Sequence, residues 1–95
     1  VAPAEPGLAA EVALLRQARA ALDDNDPEAA LRALGEHAND FRTGQMLQDR
    51  QRLRIEALCA LGHHEAARAE AETFLRTYPD STHTARVRTL CRDPQ

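Results

Sequence analysis

The sequence predicts an all-α domain: two helical hairpins followed by a capping helix. Three observations carry that prediction. Apolar residues recur at helical spacing in five segments. Proline, glycine and short polar turns separate those segments. The second half of the chain also repeats features of the first at an offset of 37 residues. No stretch alternates apolar with polar residues, so no sheet is expected.

The first helix is expected over 8–22, where Leu8, Val12, Leu15 and Leu22 share helical spacing with Ala18 and Ala21 between them. Asp23-Asp24-Asn25 ends it. Asp26-Pro27-Glu28 opens the second helix, with Asp26 as N-cap and Pro27 at the first helical position. Ala30, Leu34 and Phe41 continue one face of it, and Arg42-Thr43-Gly44 breaks the chain. A third helix over about 45–61 carries Met46, Leu47, Leu53, Ile55, Leu58 and Leu61 around much of its circumference, which predicts packing on two sides. Gly62 terminates it. The fourth helix, about 64–77, presents Ala67, Ala71, Phe74 and Leu75. Pro79 disfavours helix at Tyr78, and Ser81, the sole serine, suits an N-cap. A last short helix, about 82–91, shows Val87, Leu90 and Cys91, with Arg86, Arg88 and Arg92 on its water side.

At the 37-residue offset, Glu28-Ala29-Ala30 falls on Glu65-Ala66-Ala67. Asn25 falls on Gly62, Phe41 on Tyr78 and Gly44 on Ser81. The matches lie at the tight turn, at the small residues of the second helix of each hairpin, and at the aromatic that closes it. A single helical hairpin cannot bury its apolar face, whereas stacked hairpins make a continuous core.

Composition narrows the functional classes. The chain has 95 residues, 43% hydrophobic and 28% charged, which suits one folded domain and argues against disorder. No apolar run reaches the roughly 20 residues of a membrane-spanning helix. The net charge is −3 and aromatics are 3%, a poor basis for binding nucleic acid. All twelve basic residues are arginine, and alanine is abundant, as in proteins of GC-rich bacterial genomes. Residues 1–7 read as a Pro/Ala linker, 8–92 as the domain and 93–95 as a tail. No secretory signal pattern is visible. The chain reads as one domain of a longer parent, with a membrane anchor elsewhere in that parent left open.

Leu58 to Pro79 reads L-C-A-L-G-H-H-E-A-A-R-A-E-A-E-T-F-L-R-T-Y-P. This resembles the second half of a tetratricopeptide repeat. In that family a glycine closes the first helix, a small residue follows, then an aromatic or small residue, then a proline. Gly62, Ala67, Phe74 and Pro79 occupy those positions. The Tyr-Pro-Asp-Ser ending is similar to modules of bacterial envelope proteins of the Tol-Pal and outer-membrane assembly type. The resemblance covers about 8–91 and is most specific over 55–81. The first repeat departs from the pattern: Asn25 replaces the glycine, Arg42 the proline, and the first-helix tryptophan and tyrosine are absent. The offset of 37 exceeds the family's usual period of about 34.

Little in the sequence points to chemistry. His63-His64-Glu65-Ala-Ala-Arg68 nearly spells H-E-x-x-H, but Arg68 stands where the second ligand is needed and repels a cation. A polar inter-helix turn is the expectation there. His37 and His83 share no ligand spacing, and each reads as a surface or rim residue, although His37 aligns with Phe74 and so reaches partly into the core. Glu65, Glu70 and Glu72 share a helix with Arg68 and Arg76, which suits solvated ion pairs. No glycine-rich phosphate loop exists. The expectation is therefore a protein that is not an enzyme, with no cofactor, no metal and no small-molecule substrate.

Two features remain. Cys59 and Cys91 fall near the ends of successive first-type helices, so a disulfide could tie the cap to the stack. In the repeat register, however, Cys91 corresponds to Arg54, more than one turn from Cys59. A bridge and two separate thiols both stay open. The family resemblance further implies that the first-type helices line a groove for a protein or peptide partner. The implied lining is Arg16, Arg19, Asp49, Arg52, Glu56 and Arg86, whose arginines suit an acidic or extended segment. The bland alternative is a solvated mixed-charge face. The competing function is a structural spacer or self-association domain, a monomer or weak dimer, of an envelope or signalling protein. Between periplasm and cytoplasm, the linker and the Tyr-Pro-Asp-Ser ending favour the periplasm.

Overall fold

A computed structural model describes residues 7–42 and 46–91. Residues 1–6 of the expected linker over 1–7, the Gly44 break, Arg92 and the tail lie outside those residues. Five helices follow in order: α1 (Leu8–Asp23), α2 (Pro27–Asp40), α3 (Leu47–Ala60), α4 (His64–Thr77) and α5 (Thr84–Thr89). No strand occurs among the described residues, so the all-α fold is observed. Each helix packs on the next, and α1 also packs on α3.

The offset of 37 residues is written into the backbone. Helix α4 covers the positions of α2 shifted by 37. After α1, the amide of Asn25 donates to Leu22 O and that of Asp26 to Ala21 O. After α3, Gly62 donates to Cys59 O and His63 to Leu58 O, which is the same pattern. This is the Schellman closure, and it needs a left-handed residue. Gly62 supplies it with φ +83° and Asn25 with φ +63°. Asparagine tolerates that conformation because its short polar side chain can bond locally. The missing glycine of the first repeat is therefore a change of residue without a change of geometry.

Local sequence explains the helix starts. The Asp26 carboxylate caps α2 by accepting the Ala29 amide at 3.2 Å, and Pro27 sits at the first helical position. Glu28 and Glu65 place negative charge in the first turns of α2 and α4, where the helix dipole favours it. Ser81 is not the cap the sequence suggests: the N-cap of α5 is His83, and Ser81, two residues earlier, accepts the His83 amide on its Oγ within the preceding turn.

The core divides into two clusters that meet on α3. One contains Leu15, Ala18, Ala30, Ala33, Leu34, Leu53 and Ala57. The other contains Ile55, Leu58, Ala67, Phe74 and Val87. Leu53 and Ala57 face one way and Ile55 and Leu58 the other, so α3 packs on two sides. Ala30 and Ala67, equivalent in the repeat, are both wholly buried. A residue without a bulky side chain lets the neighbouring helix approach closely.

Between α1, α2 and α3 the core holds a polar network. Glu11 is 4% exposed and His37 0%. His37 Nε2 and Glu11 Oε2 are 3.1 Å apart, and the same oxygen accepts the Met46 amide at 3.1 Å. Arg50 Nη1 reaches His37 Nδ1 and Phe41 O, each at 3.3 Å. Arginine has only donors, so Nδ1 accepts and the His37 proton sits on Nε2, donated to Glu11. Burial lowers the Arg50 pKa, and Glu11 and Tyr78 oppose that shift. His37 is thus a core residue, deeper than the surface or rim position its spacing suggests.

Candidate partner-binding groove

The first-type helices α1, α3 and α5 present one shared face. On α1 it runs through Val12, Leu15, Arg16 and Arg19, and on α3 through Asp49, Arg52, Leu53 and Glu56. Both sets have the i, i+3, i+4, i+7 spacing of a single helical stripe. They are the same four positions, 37 residues apart. The next step of the repeat leads from Asp49 to Arg86 on α5. A hollow of about 190 Å³ lies between α1 and α3, floored by Val12, Leu15, Met46 and Leu53 and rimmed by Arg16, Arg19, Asp49 and Arg52.

Glu56 organises this face. Its carboxylate lies 2.6 Å from Arg52 Nη1, 3.1 Å from Arg19 Nη1 and 3.9 Å from Arg86 Nε. One acid, its side chain only 9% exposed, thereby gathers arginines from three helices. Arg19 also reaches Asp23, one turn on, at 3.3 Å. Arg52 Nε is enclosed and has no acceptor among the described residues. At the α5 side, His83 Nε2 lies 2.8 Å from Asp49 Oδ1. Of the six residues implied by the resemblance, Arg16, Arg19, Asp49 and Arg52 line the hollow and Glu56 and Arg86 extend the face beyond it.

His83 belongs to this face and was not singled out for it. Its signal was the repeat itself, since His83 is the equivalent of Met46, which floors the hollow. Glu11 and Arg50 were missed as well. A carboxylate falling on the apolar stripe of Leu15, Ala18 and Leu22 was the available sign for Glu11.

A larger hollow, about 410 Å³, lies along another face of α3, between α2 and α4. Its apolar wall includes Leu34, Ile55 and Phe74. Arg54 and Glu70 close its rim on each other at 2.9 and 3.0 Å, and Arg50 is engaged with His37. Charges of the α1–α3–α5 face are paired as well, but they are more numerous there, with Arg16, Arg19, Arg52 and Arg86 standing near Asp23, Asp49 and Glu56.

Cys59 and Cys91 form a disulfide, with Cα atoms 5.5 Å apart. On a helix running to 91, Cys91 would lie in register with Arg54, more than one turn from Cys59. Instead α5 ends at Thr89, Leu90 is extended, and Cys91 turns back with φ +60°. That exit carries the sulfur to the end of α3. Among the described residues, no group of three or more His, Cys, Asp or Glu is arranged to hold a metal ion. His64 and Glu65 are exposed at the start of α4. No described helix is long and apolar enough to cross a membrane.

No family model, characterised protein or solved structure matches this chain. Function has to be argued from the groove itself.

Proposed function

We propose that this chain is a tetratricopeptide-like interaction module whose α1–α3–α5 face holds an acidic segment of a partner protein. The observation that carries this reading is the convergence of Arg19, Arg52 and Arg86 on the single carboxylate of Glu56. Arg16 stands at the rim and an apolar floor lies beside the charges. On a chain of net charge −3, this face sets four arginines against Asp23, Asp49 and Glu56. Arginine forks suit carboxylates, and the floor of Val12, Leu15 and Leu53 suits an apolar side chain next to them. The role is binding, without catalysis or cofactor.

The compartment belongs to the same proposal. A disulfide persists in oxidising surroundings, which favours the periplasm or cell envelope of a bacterium over its cytoplasm.

The test is fluorescence anisotropy with a labelled peptide alternating glutamate and leucine, beside a glutamine-for-glutamate control. Wild type should bind the acidic peptide more tightly, and added salt should weaken binding. The pair Arg19→Glu with Arg52→Glu, checked by circular dichroism to be folded, should lose the preference. Equal binding of both peptides by wild type and variant would remove the groove from consideration. The alternative, a spacer or self-association domain, would instead show as concentration-dependent mass; for end-to-end stacking the described surface offers one exposed large apolar side chain, Leu8.

A further inference from the structure

We infer that the Cys59–Cys91 disulfide is a redox latch that holds α5 in place and, with it, the third wall of the groove. The inference rests on the groove reading for its functional meaning, though not for its structural test.

Helix α5 has six residues, too few to persist without tertiary support. It packs mainly on α4, and its fully buried apolar anchor is Val87. Thr84 adds a hydrogen bond from its hydroxyl to Tyr78 O at 3.2 Å. Toward α3, Val87 shares a core cluster with Ile55 and Leu58, and the His83–Asp49 pair, the longer Arg86–Glu56 contact and the disulfide add to it. The disulfide stands just past the helix, on a residue in a left-handed backbone conformation. A non-glycine residue holds that conformation only where its surroundings impose it. Once the bridge is cut, Cys91 is free to leave it, and the turn through Leu90 that seats α5 loses its anchor. His83 and Arg86, the groove residues at this end, move with α5.

Both cysteines are half-buried rather than enclosed, so a small dithiol can reach them. A thiolate of the dithiol attacks one sulfur and forms a mixed disulfide. The other cysteine sulfur leaves as a thiolate and takes a proton. The second thiol of the reagent closes the reagent's own disulfide and frees the remaining cysteine. Two electrons and two protons pass to the protein. A small-molecule disulfide reverses the step.

The experiment is hydrogen–deuterium exchange, resolved by helix, on the whole chain in three forms. These are oxidised protein, protein reduced with dithiothreitol, and the Cys59→Ser, Cys91→Ser variant. The variant removes any direct effect of the reagent. Reduction should speed exchange in Thr84–Thr89 by about tenfold or more while α2, α3 and α4 keep their protection. The glutamate–leucine peptide should bind the reduced form about threefold or more weakly, as expected for loss of charges at one end of a site. Unchanged exchange in α5 would overturn the latch, and so would equal acceleration in all five helices, which would make the bridge a global staple. Opening of α5 with unchanged peptide binding would overturn its link to the groove. Failure of the oxidised protein to bind the peptide counts against the groove reading, while the exchange data still decide the latch.

Discussion

His37 and Phe74 occupy equivalent places 37 residues apart, both wholly buried, yet one is bound into an ionic network and the other into an apolar core. Each lies against the aromatic one turn on: His37 against Phe41 at 5.3 Å and Phe74 against Tyr78 at 5.0 Å between ring centres. Their neighbours differ in step. Where His37 meets Arg50, Phe74 packs in one cluster with Val87, which is Arg50 shifted by 37. Where the first repeat has Glu11, the second has Gln48. The molecule thus contains two solutions to one packing problem.

That comparison predicts opposite outcomes for single and combined changes. Glu11→Leu alone leaves the His37 Nε2–H and the Met46 amide without their acceptor and Arg50 without its nearby carboxylate. It should cost about 3 kcal/mol. The combination Glu11→Gln, His37→Phe and Arg50→Val copies the second repeat and keeps an oxygen at position 11 for the Met46 amide. It should be neutral or stabilising, by up to about 2 kcal/mol, because apolar replacement of the buried Glu11 charge and its polar partners removes their desolvation cost. Urea unfolding measures both. A combined variant less stable than Glu11→Leu would show that the two repeats do not share a packing solution.

The left-handed closures give a second pair of outcomes. Gly62→Ala places a Cβ in open space, so its penalty is conformational alone, about 1 kcal/mol. Asn25→Gly should change stability by less than about 0.5 kcal/mol, because the residue already adopts the glycine conformation. Asn25→Val should cost about 2 kcal/mol, since a β-branched side chain is poorly tolerated at positive φ. Thermal melts suffice. A large gain from Asn25→Gly would mean that asparagine holds the turn under strain.

Helix number, the turns and the two-sided packing of α3 were legible because they depend on local spacing and on residues with narrow backbone preferences. Asp26-Pro27 and Gly62 could be placed from chemistry alone. The six residues that the family resemblance implied lie on one side of the molecule because one helical face, repeated at a fixed offset, brings Arg19, Glu56 and Arg86 together. What was not legible depended on pairs distant in sequence. Glu11 and His37 are 26 residues apart, and although the repeat register put His37 partly in the core, nothing local to either residue points to the other as its partner. The Cys59–Cys91 bridge stayed open in the sequence for a different reason. Extending α5 by two residues was enough to point the Cys91 side chain away from Cys59, and the early end at Thr89 has no proline or glycine to announce it.

Glu56 offers the sharpest separation of stability from binding. Its carboxylate serves Arg19, Arg52 and Arg86 together, and under the proposed function it stands where a partner's acidic side chain would bind. Glu56→Gln keeps the shape and an acceptor oxygen but removes the charge. The arginine side chains are 40%, 20% and 57% exposed, which screens their attraction, so the loss of stability should be near 1 kcal/mol. Affinity for the glutamate–leucine peptide should rise, by about threefold to tenfold, because Arg52 and Arg86 are released from Glu56 and Arg19 keeps only Asp23. The salt dependence of binding should steepen with it. Measured together, a modest drop in melting temperature with tighter binding would identify Glu56 as an internal stand-in for the partner's carboxylate. A drop in both would instead make Glu56 the brace that holds the arginines in shape for binding.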